Sequence, residues 1–229
     1  MGVNRLMYEL NIKRLLAAAE ELRYLLDRGY PRDGALNFVA NHHRLDKKHK
    51  IVLLRSVYSS KEIEERKRKT VPFQKLKGNV LSVDGYNVLI VLETMLRNQP
   101  LLEGDDGYVR DISGVHGKHK LSNHTIQAVN ILLEELKKAQ PREVLIFFDS
   151  PVSKSGELAG TVRNLMKTRG VKGDSVAVSQ ADNAVIRTGE IALTSDSVIL
   201  QKARKCFDIA GHIARKRGYA WIISFKHPP

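Results

Sequence analysis

Four short apolar runs in the last two-thirds of the chain each deliver an aspartate at or just past their end: LSVDGYN, LIFFDSP, VAVSQADNAV and IALTSDSV. They place Asp84, Asp149, Asp182 and Asp196 where strands finish. Between these runs lie stretches with helical spacing. Strands alternating with helices imply a parallel sheet with helices on both faces. The carboxyl ends of parallel strands share one edge, and ligand sites form there. Side chains spread over a hundred residues are thereby expected to meet in one pocket. Carboxylates gathered so closely repel one another, and a bound divalent cation relieves the repulsion. The chemistry first suggested is that of a metal-dependent hydrolase.

The first seventy residues have a different texture and read as all helix. Leu6, Leu10, Leu15, Leu16, Leu22, Leu25 and Leu26 keep an approximately helical period from about Arg5 to Arg28, with Gly29 as a C-terminal cap and Pro31 as a breaker. Asp33 opens a second helix, Lys47–Val57 is a third, and Ser59 with Glu62 forms a capping box for a fourth that ends in Arg66, Lys67, Arg68 and Lys69. TVPFQKLKGN has a proline, a glycine and no clear period, and reads as a linker. The expected division is a helical region over 1–70, a linker over 71–78 and an α/β domain over 79–229. Within that domain, 99–121 reads as long and irregular, Ser122 or Asn123 caps a helix, and Tyr219–Phe225 closes the chain as a strand.

Charge adds a partner class. The net charge is +13, and residues 1–77 hold 18 Lys/Arg against 9 Asp/Glu, a balance of +9, while the remainder holds 20 against 16, a balance of +4. A basic segment joined to an acidic cluster suits a polyanionic substrate. Arg44, Lys47 and Lys48, with Arg66, Lys67, Arg68 and Lys69, form the expected phosphate-tracking patch. No apolar run approaches the roughly 20 residues of a membrane span, and MGVNRLMYELNIKRLL lacks the apolar core of a signal peptide, so a cytoplasmic location is expected. The single cysteine, Cys206, excludes an intrachain disulfide and a cysteine-rich zinc site, and its apolar surroundings suit a buried small hydrophobe. A homodimer is the commonest oligomer to expect.

The four acidic runs resemble the motifs of the PIN-like nuclease superfamily, and of its NYN branch in particular. LSVDGYNVLI looks like the first NYN strand and turn, LIFFDSP like the second acidic strand end, ADNAVI like the acidic turn that opens a helix, and IALTSDSVIL like the PIN "TSD" motif. All four occur in the family's order over roughly 79–225. The whole chain also looks like an archaeal family known mainly as a domain of unknown function joined to such a module. The resemblance implies the fold and a nuclease chemistry but no substrate; taken with the basic helical region, the expected reading is a divalent-metal-dependent nuclease acting on RNA, with Mg²⁺ or Mn²⁺ as cofactor. Asp84, Asp149, Asp182 and Asp196 are the implied catalytic and metal-binding acids. Glu93, nine residues beyond Asp84, is the residue that fits the further acid supplied by the helix after the first strand.

Other residues take supporting roles. Asn87 is expected to orient a ligand or a water. Thr194 and Ser195 could bond substrate phosphate or satisfy local backbone groups, and Lys154 could meet a phosphate or simply be solvated. Tyr58 and Tyr86 could stack on bases, although core packing is the commoner fate. The histidines of HGKHKLSNH fall in loop and cap rather than on one helical face, which disfavours zinc there. No glycine-rich phosphate loop and no nucleophile elbow is present. The alternative to an active nuclease is a nucleic-acid-binding protein on the same scaffold, inactive because its acidic pocket holds too few ligands.

Overall fold

The structure is a computed structural model that describes residues 11–112 and 122–226. It divides into two compact units, and the chain passes between them more than once. The first comprises Met1–Lys67, Pro100–Gly114 and Trp221–Pro229, and the second Arg68–Gln99 and Val115–Ala220.

The leucine-rich stretch forms α1 (Ile12–Asp27). As the sequence predicts, Gly29 closes it with φ +81, and the next N–H, of Tyr30, returns to the Leu25 carbonyl. Helices α2 (Arg32–His42) and α3 (Lys47–Ser56) follow, then α4 (Ser60–Lys69). The expected capping box opens α4: the Ser59 N–H donates to Glu62 Oε2 at 2.9 Å and the Glu62 N–H to Ser59 Oγ at 3.3 Å.

The helical unit is not made of the first seventy residues alone. Residues 99–121, read as irregular, contain two strands, β2 (Leu101–Glu103) and β3 (Val109–Asp111), paired antiparallel. The final strand β8 (Ile222–Ser224) pairs parallel to β2 and so belongs to this small sheet, not to the large one. The core shows why both segments are recruited. Leu102 and Phe225 are buried in the same cluster as Leu15, Leu22, Val39, Val52 and Leu53.

The second unit holds a five-stranded parallel sheet. Its strands are β1 (Val80–Asp84), β4 (Glu143–Asp149), β5 (Gly173–Val178), β6 (Ile191–Leu193) and β7 (Cys206–Phe207), in spatial order β5-β4-β1-β6-β7. In chain order this is third-second-first-fourth-fifth, the doubly wound arrangement. Helices α5 (Gly85–Leu96), α6 (Asn123–Ala139), α7 (Ser155–Arg169) and α10 (Ile209–Lys216) pack together as one layer, and α8 (Ala181–Thr188) packs with α9 (Ser197–Lys202) as another. The alternation within β1 fits this division: Ser82 turns its hydroxyl to the Val185 carbonyl of α8 at 2.7 Å, whereas Leu81 and Val83 are fully buried. The predicted linker is ordered. Phe73–Leu76 is a 3₁₀ turn, and Thr70 bridges to Cys206, which is buried as expected.

Candidate active site

Strand order reverses between β1 and β6, the position at which doubly wound sheets bind ligands beyond their carboxyl ends. Asp84 stands there as the last residue of β1 and the N-cap of α5. The chain can pass from strand to helix with no intervening loop only because the next residue is Gly85. A Cβ at that position would press into the Phe148 ring and to 2.7 Å from the Phe147 carbonyl oxygen. The glycine of DGYN is thus demanded by close packing on β4, not by a turn with positive φ.

Two polar clamps hold Asp84 against β6. Thr194 Oγ1 donates to Asp84 Oδ2 at 2.8 Å and accepts the Asp196 N–H at 2.9 Å. Asn87 Oδ1 accepts from the Ser195 N–H at 2.8 Å and from Ser195 Oγ at 3.0 Å. Asn87 therefore ties the first turn of α5 to the turn before α9. Thr194 and Ser195 are 1% and 2% exposed, and their protons go to Asp84 and Asn87. Their hydroxyls thus serve the protein's own groups, with both protons given to side chains more than 100 positions away.

Burial pushes the Asp84 carboxyl up to about 7, and the charges of Asp196 and Asp182 push in the same direction against the Thr194 hydrogen bond. Asp182 lies in the first turn of α8 and is exposed, while Asp196 caps α9 by accepting the Val198 and Ile199 N–H groups at 2.8 and 3.2 Å. Asp149, at the end of β4, accepts the N–H of Ala181, the residue before Asp182, at 3.2 Å. It also acts on Tyr86, whose hydroxyl is pushed up to about 12 by burial and by the Asp149 charge. Tyr86 packs edge-on against Phe148, 5.0 Å between centroids, and is 9% exposed. Asp149 and Asp196 thus each spend Oδ1 on a helix N-terminus.

The four strand-end acids share one edge without forming a tight ligand shell. Among the described residues, the one group of three or more possible ligands within 4.8 Å of one another lies in the other unit. A closed shell is not what Mg²⁺ or Mn²⁺ demands, since such ions keep several waters and take one or two carboxylates from the protein. The donor set fits such an ion: oxygen ligands only, and a buried carboxyl whose charge is opposed by two neighbours.

Several expected residues lie elsewhere. Glu93 is corrected out of the metal set. Nine residues along α5 is about 13 Å of axial rise, and its carboxylate is engaged by Arg97 at 2.8 Å and Thr125 Oγ1 at 2.8 Å. Arg66 is corrected out of the phosphate patch: it is 6% exposed, bonded to Asp106, and its guanidinium lies 3.8 Å from the centroid of the Tyr58 ring. Tyr58 is itself buried, so it offers no base-stacking face. Lys69 spends its ammonium on the Leu200 and Gln201 carbonyls near the end of α9, at 3.2 and 2.5 Å. Arg44, Lys47, Lys48, Lys67 and Arg68 are exposed, as a phosphate patch requires. Lys154 is exposed at the N-terminus of α7 and 3.8 Å from Glu157. Of the loop acids, Asp105, Asp106 and Asp111 pair with Arg23, Arg110 and Arg55 within the helical unit. His116 and His119 fall outside the described residues.

Fold and site define an α/β protein with an acidic site at the carboxyl edge of a doubly wound parallel sheet. The chain belongs to the family described as a domain of unknown function, DUF5616, whose model matches residues 73–212. Residues 14–69 match a second family, described as a protein of unknown function, DUF434. An uncharacterized protein of Methanocaldococcus jannaschii is 40% identical over 184 residues, which cover 80% of this chain and 88% of that one. No solved structure matches the chain. No described helix is long and apolar enough to cross a membrane.

Proposed function

We propose that this chain is a divalent-metal-dependent nuclease with a PIN-like fold, hydrolysing phosphodiester bonds in RNA. The observation that carries the reading is Asp84: a buried carboxyl at the strand-order reversal, raised to about 7 by burial and by two further aspartates. An isolated structural carboxyl has no reason to sit beside two others, whereas a cation site does. The order of the four acidic motifs and their shared sheet edge support the PIN-like assignment. The exposed Arg44, Lys47, Lys48, Lys67 and Arg68, together with the net charge of +13, support a nucleic acid as substrate.

In this reading Asp84 and Asp196 would hold Mg²⁺ or Mn²⁺, with Asp149 and Asp182 completing the cluster directly or through water. The bound ion supplies a Lewis acid for the phosphoryl oxygen and a water of lowered pKa. Thr194 and Asn87 keep Asp84 and the Asp196 turn in register, and Asp84 gives up its proton on loading. The N-termini of α5, α8 and α9 all open on the same edge, where their dipoles favour an anionic phosphate.

The engagement of Glu93 by Arg97 and Thr125 favours a second reading, an inactive scaffold that binds nucleic acid with an incomplete acid set. One experiment separates the two. Labelled RNA and DNA are incubated with the wild type, Asp84→Asn and Asp196→Asn in Mn²⁺ and in chelator. The nuclease reading expects metal-dependent RNA cleavage that falls at least about 100-fold in each variant, the scale of losing a group that acts in the transition state. Equal residual cleavage in all three proteins would overturn it, and retained binding without cleavage by the wild type would support the scaffold.

A further inference from the structure

The helical unit carries a second constellation of ligating groups, of a different chemical kind. Glu21 lies within α1, while His42 is the last residue of α2 and His43 its C-cap. The two helices pack against each other across a short turn, which brings together residues 21 positions apart in sequence. One ligand atom from each of Glu21, His42 and His43 lies within 4.8 Å of the other two.

The informative atom is His43 Nε2. It is shut off from solvent and 3.0 Å from Glu21 Oε2, yet it makes no aligned hydrogen bond to that oxygen or to any other described group. A shielded nitrogen without a hydrogen-bond partner is costly. Close approach without alignment is the arrangement of two lone pairs turned toward a common cation. His42 stands beside it, with the two rings edge-to-face at 5.0 Å.

We propose that Glu21, His42 and His43 bind a zinc ion. Imidazole suits zinc and its neighbours, whereas magnesium and calcium prefer oxygen, so this site and the strand-end aspartates would select different ions. Two histidines and one glutamate form a known zinc ligand set, with the fourth tetrahedral position left to water or another ligand. Zinc bonds of about 2.0–2.1 Å put tetrahedral ligand atoms roughly 3.3 Å apart. The Glu21–His43 separation of 3.0 Å already stands near that value, and the His42 ligand atom lies within 4.8 Å of both. Glu21 and His42 are both exposed, so neither has to break a packed core to turn.

The test is calorimetric titration of zinc chloride into the full, metal-stripped chain in excess magnesium, which occupies oxygen-rich sites. Cobalt substitution is followed by visible absorption as a report of tetrahedral nitrogen and oxygen ligation. The expected result is one zinc per chain in the wild type and in Asp84→Asn. Affinity should fall by more than the 10–100-fold typical of losing an outer partner of a ligand, in both Glu21→Gln and His43→Ala, with loss of the cobalt signal. His42→Ala removes a ligand at an exposed position and keeps the test decisive should His43→Ala fail to fold, which circular dichroism would reveal. No zinc uptake by the wild type, unchanged affinity in Glu21→Gln and His42→Ala, or loss of uptake in Asp84→Asn would each overturn the assignment.

Discussion

At neutral pH the Asp84 carboxyl sits near its own midpoint, because burial raises it to about 7 from an ordinary 3.8. The folded state therefore holds a proton that the unfolded chain releases at much lower pH. Stability from this group is fully present below about 3.8 and is lost as pH rises through about 7. The rise from 3.8 to about 7 corresponds to roughly 4 kcal/mol. In chelator, the melting temperature of the wild type should decline between those limits, and Asp84→Asn should flatten the decline. Added Mg²⁺ should restore the wild type at alkaline pH, since the cation replaces the proton. Parallel wild-type and Asp84→Asn profiles would remove Asp84 from this role. The position of Asp84 was legible in the sequence because the buried apolar run of β1 ends on it. Glu93 was misread because the nine residues separating it from Asp84 fix its distance along the helix but not its partners, and Thr125 lies 32 residues further on.

Among the elements, α4 joins the small sheet through an ionic network that propensity alone does not reveal. Burial works against the Asp106 carboxylate, but Arg110 and Arg66 outweigh it and hold Asp106 below the usual carboxylate range. Asp106→Asn would leave two buried guanidinium groups sharing a neutral amide. The expected cost in urea denaturation is about 3–5 kcal/mol, as for breaking a buried ion pair from one side. Lys67→Glu, on the exposed face of the same helix, should stay within about 0.5 kcal/mol. A cost for Asp106→Asn no larger than that of Lys67→Glu would reject the network as a source of stability. Arg66 illustrates what a sequence hides. Within ERKRK it looks like any solvated cation, and only the fold turns it onto Tyr58 and toward an aspartate 40 positions away. The helices and the parallel strands that end on the four acidic motifs were readable from their periods and end signals, whereas β7, two residues long at Cys206–Phe207, was not read as a strand. Strands β2 and β3 are three residues each, too short to register a period. The sheet that β8 joins depends on a partner about 120 residues back, which no local pattern encodes.

For the whole molecule, the division expected near residue 70 follows the change in texture but not the folded units. The family matches divide at nearly the same place, with one ending at residue 69 and the next beginning at 73. The helical unit nevertheless needs Leu102 and Phe225 for its core and Asp105 as the partner of Arg23. A fragment of residues 1–70 should therefore lack a cooperative thermal transition by circular dichroism, while the full chain shows one. A sharp transition in the fragment would mean that the four helices suffice. The return of β8 to the first unit also sets an order of events during synthesis. Helices α1–α4 leave the ribosome before the parallel sheet does, yet their hydrophobic core cannot close until residues 222–226 are made, after that whole sheet has been translated. The helical unit starts to emerge before the parallel sheet and is completed only after it, and until then its leucine faces are the surface that a chaperone would find.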